Sequence, residues 1–473
     1  MIGRDYEKRK LMESYNSENS EFVAVYGRRR VGKTYLIRET FNDMFVFQHS
    51  GLANASMADQ LSSWTDDIVE AGLEVKTSPR NWLDAFRLLK ELIKTSKSRK
   101  KIIFIDELPW MDTPRSKFVM ALENFWNGWA SARKDVLLIV CGSATSWIVN
   151  KIFKNHGGLH NRVTRRIHLM PFTLHECEQY AEVNRLGFSK YQLLVGYMIM
   201  GGIPFYWSQL QRGMSLDQNI DDLFFSENGS LRYEFDNLYA SLFRNPEPYI
   251  EVVKTLGTKS AGMTRDDLIT AGKRLSDNGK LTRVLQDLEH SGFIRSYNGY
   301  GKKIRNTIFQ LTDHYSIFYF KFIAKYKEND QAFWTHNLGK PLYNTWCGLA
   351  FEMVCLAHIP QIKRSLGIEG IASNVYSWRA RENNDGIQGA QIDLLIDRAD
   401  QVINLCEIKF SSQEYRLDKA EMEKLRNRKN LFSQETKTRK AVHLTMITSY
   451  GLAHNAYWGE IQNEITADDL MKP

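Results

Sequence analysis

The sequence predicts an α/β protein: a parallel sheet wrapped by helices, then a helical segment, a small helix-and-hairpin unit, and a second, smaller α/β domain. Three observations carry that prediction. Near-continuous apolar runs in the first third alternate with helix-period segments, the pattern of strands buried on both faces. From about residue 173 to 312 the period is helical and closes on a turn-rich hairpin. From about residue 335 strand-like apolar runs return beside an apolar helix.

The elements follow in order. Phe22–Tyr26, Phe45–Gln48, Ile102–Ile105 and Val136–Cys141 read as buried strands of the parallel sheet. Arg166–Phe172 adds a fifth, ended by Pro171, which has no amide to give to a ladder. These make a first domain over 1–172. A helical stretch over 173–245 starts helices after Thr173 and Ser189, both good N-caps. Within 246–325, two helices are joined by a turn around Ser276–Gly279, and Leu281, Val284, Leu285 and Leu288 share one face of the second. The strand-like SGFIRSY and TIFQLTD flank the basic turn NGYGKKIRN, so helix-turn-helix is followed by a hairpin, a winged-helix pattern. The aromatic helix in LTDHYSIFYFKFIAKY then leads to a last domain over 335–473, with the helix GLAFEMVCLAHI and the strands IDLLID, VINLCEIKF and AVHLTMIT.

Composition narrows the function classes. With 473 residues, 43% apolar and 25% charged, the chain is long enough for about three domains, and neither disorder nor collagen-like repetition fits. A net charge of +8 permits an anionic partner such as DNA. The five cysteines form no C-x-x-C pair, which excludes a zinc ribbon, and their odd number argues against a disulfide framework and makes a reducing cytosol the expected compartment. The longest uncharged apolar stretch, Leu193–Trp207, is too short for a bilayer and is broken by Gly201, Gly202 and Pro204, so no membrane partner is expected.

The chemistry starts at Gly27–Thr34, GRRRVGKT, which fits G-x-x-x-x-G-K-[ST] between a strand and a helix. Glycines at both ends let backbone amides turn inward around phosphate oxygens, and the helix N-terminus adds positive potential. Lys33 is expected to reach the β- and γ-phosphates and Thr34 to hold Mg²⁺. A second motif agrees: Lys101–Glu107 is an apolar strand ending in two carboxylates, at the end of a parallel sheet where ligands bind. Asp106 is the expected Mg²⁺-side acid, and Glu107 the base that activates water. After the strand Val136–Cys141, Ser143 is a candidate sensor of the γ-phosphate. In the basic stretch KIFKNHGGLHNRVTRRIH, Arg162, Arg165 and Arg166 are candidates for an arginine finger, and one acting in trans would require a homo-oligomer.

At this point a family resemblance is visible. Ile2–Leu11 (IGRDYEKRKL), Tyr26–Ile37 (YGRRRVGKTYLI) and Phe104–Trp110 (FIDELPW) resemble the archaeal-type ATPase family of archaea and bacteria. Gly201–Trp207 (GGIPFYW) and Leu311–Phe320 (LTDHYSIFYF) extend the likeness over nearly the whole chain. These are AAA-like P-loop ATPases with a C-terminal restriction-endonuclease-like, PD-(D/E)XK domain. The resemblance implies a nucleotide-binding core, a helical lid, a winged helix and a nuclease-like end, with Gly3, Arg4 and Asp5 near the adenine. The expected nucleotide-binding set is then Gly3, Arg4, Gly27, Arg28, Arg29, Arg30, Val31, Gly32, Lys33, Thr34 and Tyr35.

Restriction-type nucleases use an Asp followed on the next strand by Glu-x-Lys, often with an earlier helical Glu. Asp393 in IDLLID and Glu407-Ile408-Lys409 fit that pattern, and strand alternation puts Glu407 and Lys409 on one face. Asp393 and Glu407 are the expected metal ligands, and Lys409 would position water. Glu352, a charge within an apolar helix, needs a partner and is the candidate fourth member. The alternative is an inactive fold with its carboxylates in salt bridges, used for docking. For DNA, the basic candidates are Lys280, Arg283, Lys302, Lys303 and Arg305 in the winged-helix segment and the run Lys424–Lys429.

The expected function is a cytosolic, Mg²⁺-dependent ATP hydrolase whose nucleotide state governs a DNA-associated C-terminal domain, with nuclease activity as an open question. The alternative is a regulatory ATP-binding switch with an inactive nuclease-like docking domain. A small-molecule kinase fits poorly, because the acid pair at the strand end suits water activation.

Overall fold

The computed structural model describes residues 1–154, 158–159, 161–243, 245–301, 307–326, 330–380 and 389–473. They form two compact units: Met1–Pro171 with Asp236–Pro246, and Phe172–Phe235 with Glu247–Pro473.

The first unit is built on a five-stranded sheet of β1 (Glu21–Tyr26), β2 (Phe45–Ser50), β3 (Lys101–Asp106), β4 (Val136–Gly142) and β5 (Arg165–His168). The strand order is β2-β3-β4-β1-β5 and every pair is parallel. β5 is shorter than the sequence suggested and stops three residues before Pro171, although the Leu169 amide still reaches the Tyr26 carbonyl at 2.7 Å. The apolar runs have a simple cause: β4 is buried at every position, so polar side chains would be left without water. Helices α3 (Met57–Glu70), α4 (Trp82–Thr95) and α5 (Phe118–Gly128) cover one face, with Trp64, Leu89 and Phe125 packed on Ile103, Ile105 and Leu138. Helices α1 (Asp5–Asn16) and α2 (Lys33–Phe41) belong to the other face. The ladder register brings Tyr26 level with Gly142 and with His168, so the carboxyl ends of β1, β3 and β4 share one edge of the sheet.

The second unit opens with the helices Leu174–Val183 and Lys190–Met200, each started by a full capping box, Thr173 with Glu176 and Ser189 with Gln192. A three-stranded antiparallel sheet follows: β6 (Met263–Thr264), β7 (Ile294–Tyr297) and β8 (Ile308–Leu311), in the order β6-β8-β7. It lies with the helices Glu247–Leu256, Arg265–Ala271 and Gly279–His290, and Leu281, Val284, Leu285 and Leu288 are all buried, as the spacing required. The aromatic helix His314–Lys321 packs Phe318 against Trp334 and Trp346.

The last sheet is mixed. It consists of β9 (Ser373–Ala380), β10 (Ala390–Arg398), β11 (Val402–Lys409), β12 (Ala441–Thr448) and β13 (Asn463–Thr466), in the order β13-β12-β11-β10-β9. β9-β10-β11 are antiparallel and β11-β12-β13 parallel. The edge strands β9 and β13 had no apolar run to announce them, since only a few of their side chains are buried. The helix Pro341–Ala357 packs against β11, and the helix Lys419–Thr436 puts Met422, Leu425 and Phe432 into the core over β9, β10 and β12. Among the described residues no helix is long and apolar enough to cross a membrane.

Candidate functional site

At the carboxyl edge of β1 the chain turns through Gly27–Gly32 into α2. Gly27 has φ +146°, and a Cβ there would lie 2.3 Å from the Leu169 carbonyl oxygen, so only glycine fits between the loop and the segment after β5. Gly32 has φ +89° and would meet nothing, so its requirement is conformational and leaves the inner side of the loop accessible to a ligand. Arg30, at φ +68°, is also left-handed. The ammonium of Lys33, on the first residue of α2, donates to the carbonyls of Gly27 at 3.1 Å and Arg28 at 2.9 Å. Burial lowers its pKa, opposed by the nearby charges of Glu107 and Asp106. Phosphate oxygens are stronger acceptors for this ammonium than two backbone carbonyls.

The Thr34 hydroxyl donates to Asp106 at 2.6 Å, joining the loop to the end of β3. A hydroxyl and a carboxylate so close match the two protein ligands that Mg²⁺ takes at such a loop while keeping most of its waters. The other Asp106 oxygen accepts from the Glu107 amide at 2.8 Å and from the Cys141 thiol. Glu107 is left-handed, φ +44°, a costly conformation for a non-glycine residue and one found preferentially at functional sites. Its carboxylate accepts from the Ser143 amide at 3.2 Å and hydroxyl at 2.9 Å. Ser143, expected as a phosphate sensor, here orients the candidate base.

The remaining nucleotide-set residues divide. Arg4 is buried, its guanidinium donating to the carbonyls of Met170 at 2.9 Å and Val31 at 3.4 Å, while Gly3 (φ +61°) turns the chain into it. Val31 and Arg28 are buried, Arg29 and Arg30 half-buried, and Tyr35 is exposed beside Thr34. Of the finger candidates, Arg165 pairs with Glu13 at 3.5 Å and Arg166 lies over the Phe153 ring at 4.4 Å. Arg162 is exposed and makes no side-chain hydrogen bond or ion pair among the described residues.

A second cluster forms in the C-terminal sheet. Glu407 and Lys409 share a face of β11, as alternation requires, and pair at 2.9 Å. The other Glu407 oxygen accepts from Arg428, on the helix Lys419–Thr436. Asp393 sits in a bulge of β10, between the paired positions Ile392 and Leu395, and accepts from Gln391. Glu352, on the helix Pro341–Ala357, feels both Asp393 and Glu407. Burial first, then those charges, push its pKa to about 8, and burial also raises that of Asp393. All four expected members therefore act on one another, but among the described residues no three Asp, Glu, His or Cys side chains gather closely enough to hold a metal. A metal cage of Asp393, Glu407 and Glu352 does not fit this arrangement, and Glu407 is occupied by two cations.

The basic candidates fare unevenly. Lys280 is exposed, and Arg283 is exposed with Asp287 at 3.8 Å. Within Lys424–Lys429, Arg428 is taken by Glu407 and Arg426 by Glu460, so two of its charges are spent internally. Lys302, Lys303 and Arg305 lie outside the described residues. Sequence reasoning missed Cys141, Arg295 and Arg428: an arginine or a cysteine in an unremarkable strand or helix carries no sign of which carboxylate it will face.

Residues 1–210 match the model of a family described as an ATPase domain predominantly from Archaea. An uncharacterised protein of Methanocaldococcus jannaschii is 22% identical over 404 residues, covering 83% of each chain. Among solved structures, a Walker-type ATPase of Pyrococcus abyssi is similar with a TM-score of 0.48 and 18% identity, over 67% of this chain and 95% of its own. The Aeropyrum pernix ORC2 protein, solved in ADPNP–ADP complexes, has a TM-score of 0.41 and 15% identity, over 66% of this chain and 91% of its own.

Proposed function

We propose that the chain binds ATP with Mg²⁺ at the Gly27–Thr34 loop and hydrolyses it, and that its nucleotide state governs a DNA-associated C-terminal domain. The observation that carries the hydrolase reading is the 2.6 Å contact between Thr34 and Asp106, with Glu107 next in sequence and oriented by Ser143. A bound Mg²⁺ would supply charge neutralisation at the phosphates. Lys33 would exchange the Gly27 and Arg28 carbonyls for phosphate oxygens. Glu107 would accept the proton of the attacking water, for which Ser143 fixes its orientation. Arg4 would hold the N-terminal segment against the loop through Val31. Arg162, with its side chain in solvent, is the finger candidate best placed to be contributed to another copy.

The test is phosphate release from Mg-ATP by the full chain. Lys33→Ala should abolish ATP binding in calorimetry as well as release. Binding undiminished by that change would refute the assignment of the loop.

A winged-helix reading of the three-stranded unit and a PD-(D/E)XK reading of the last sheet supply the DNA-associated part. The engagement of Glu407 by Lys409 and Arg428 supports the alternative, in which that domain docks or binds without cutting. Nicking of plasmid DNA with Mn²⁺ separates the two. Nicking lost in Asp393→Ala supports cleavage, whereas none under ATP, ADP or no nucleotide supports docking.

A further inference from the structure

Arg295 is part of neither the sheet nor the helices that carry the C-terminal carboxylates. It lies on β7, and three observations bring it to them. The chain just beyond β7 is stitched to the last sheet: Gly299 bridges Ser377 of β9, and the Tyr300 amide donates to the Ser377 carbonyl at 2.8 Å. Tyr300 then packs on Tyr376 and Phe432, inside that sheet's own core. Ser377 is also the β9 residue opposite the β10 bulge that contains Asp393, since its neighbours Trp378 and Tyr376 pair with Ile392 and Leu395. The hairpin and the bulge thus meet at one residue.

The Arg295 side chain is oriented but not consumed. Its Nε donates to Gln310 at 2.7 Å, and the guanidinium lies 4.5 Å over the Tyr297 ring. The Tyr297 hydroxyl is itself anchored on the Ala261 carbonyl at 2.8 Å. The two terminal amino groups make no hydrogen bond or ion pair among the described residues, although the charges of Asp393 and Glu352 act on this guanidinium. A half-buried arginine held by Nε, with its terminal fork unspent, is pre-set for two-point contact with a phosphate. The charge balance agrees. With Glu352 protonated at neutral pH, Lys409, Arg428 and Arg295 face only the carboxylates of Asp393 and Glu407, an excess of positive charge that a phosphodiester can neutralise.

We propose that Arg295 is a phosphate-binding residue of the Glu352–Asp393–Glu407–Lys409 site, so that this site takes a phosphodiester group only with the β7 hairpin docked on β9. The proposal rests on the reading of that cluster as a polynucleotide site. It is tested on the full chain by fluorescence anisotropy with a labelled 20-base-pair DNA duplex, in EDTA, over a salt series. Lys409→Gln should weaken binding and reduce the salt slope by about one. Arg295→Ala and Arg295→Gln should weaken binding about tenfold or more and reduce the salt slope by about one. Arg295→Lys should restore the slope but only part of the affinity. If Lys409→Gln weakens binding while both Arg295 variants bind as wild type with an unchanged slope, the proposal alone is overturned. If Lys409→Gln changes nothing, or the duplex does not bind, the polynucleotide reading falls and the proposal with it. Should Arg295→Ala melt early, the Gln and Lys variants decide by the same criteria.

Discussion

Glu107 and Ser143 show what a sequence reveals of single residues: their place, but not their contact with each other. Both were legible in the sequence because a carboxylate pair after an apolar strand and a small polar residue after the neighbouring strand are positional signals. Their mutual hydrogen bonds, and the thiol of Cys141 on Asp106, were not legible, because they depend on β3 and β4 being neighbours in the ladder. The same holds for Glu352, whose place in an apolar helix marked it as needing company without saying whose. Its pKa of about 8 has a measurable consequence. The ordinary value is 4.5, so between pH 4.5 and 8 the folded carboxyl keeps a proton that the unfolded chain has lost. Stability should therefore fall as pH rises through that window and level off above it. Glu352→Gln should flatten this part of the profile in thermal melts. A variant profile parallel to wild type would show that Glu352 ionises normally.

Elements were legible where burial writes a pattern. The five strands of the first sheet and the two capped helices at Thr173 and Ser189 follow from apolar runs and from the chemistry of N-caps. The edge strands β9 and β13 did not, since half-exposed edges need no apolar run. The bulge at Asp393 is likewise a property of register rather than of composition. Contacts between elements distant in sequence were equally hidden. The amide of Leu174, first in its helix, donates at 2.9 Å to Nε2 of His358, the residue that ends Pro341–Ala357, while Nδ1 faces the Val354 carbonyl at 2.8 Å. Burial lowers the His358 pKa to about 4, so the ring is neutral and can accept from Leu174. The unfolded ring takes up its proton near 6.5, so this histidine's share of stability is lost as pH falls from there toward 4. At pH 7, His358→Ala should cost about 1–3 kcal/mol, by leaving a buried amide unpaired. The difference from wild type should shrink toward pH 4. A difference that grows on acidification would contradict the neutral-ring account.

For the whole molecule, the loop and the acid pair were legible through short, rigidly spaced motifs, and the family match over residues 1–210 falls on that same part. The C-terminal cluster was only half legible: its four members came from a looser pattern, whereas Arg295 and Arg428 enter from other elements. Coupling between ATP and the C-terminal site is the largest-scale claim, and it presupposes that ATP is turned over. Turnover is therefore the direct test. Phosphate release from Mg-ATP should be measured for wild type beside Glu107→Gln, with ATP binding by calorimetry on both. Loss of a general base should slow release about a hundredfold or more while ATP stays bound. Equal release from the two proteins, or no ATP binding by the wild type, would contradict the assignment.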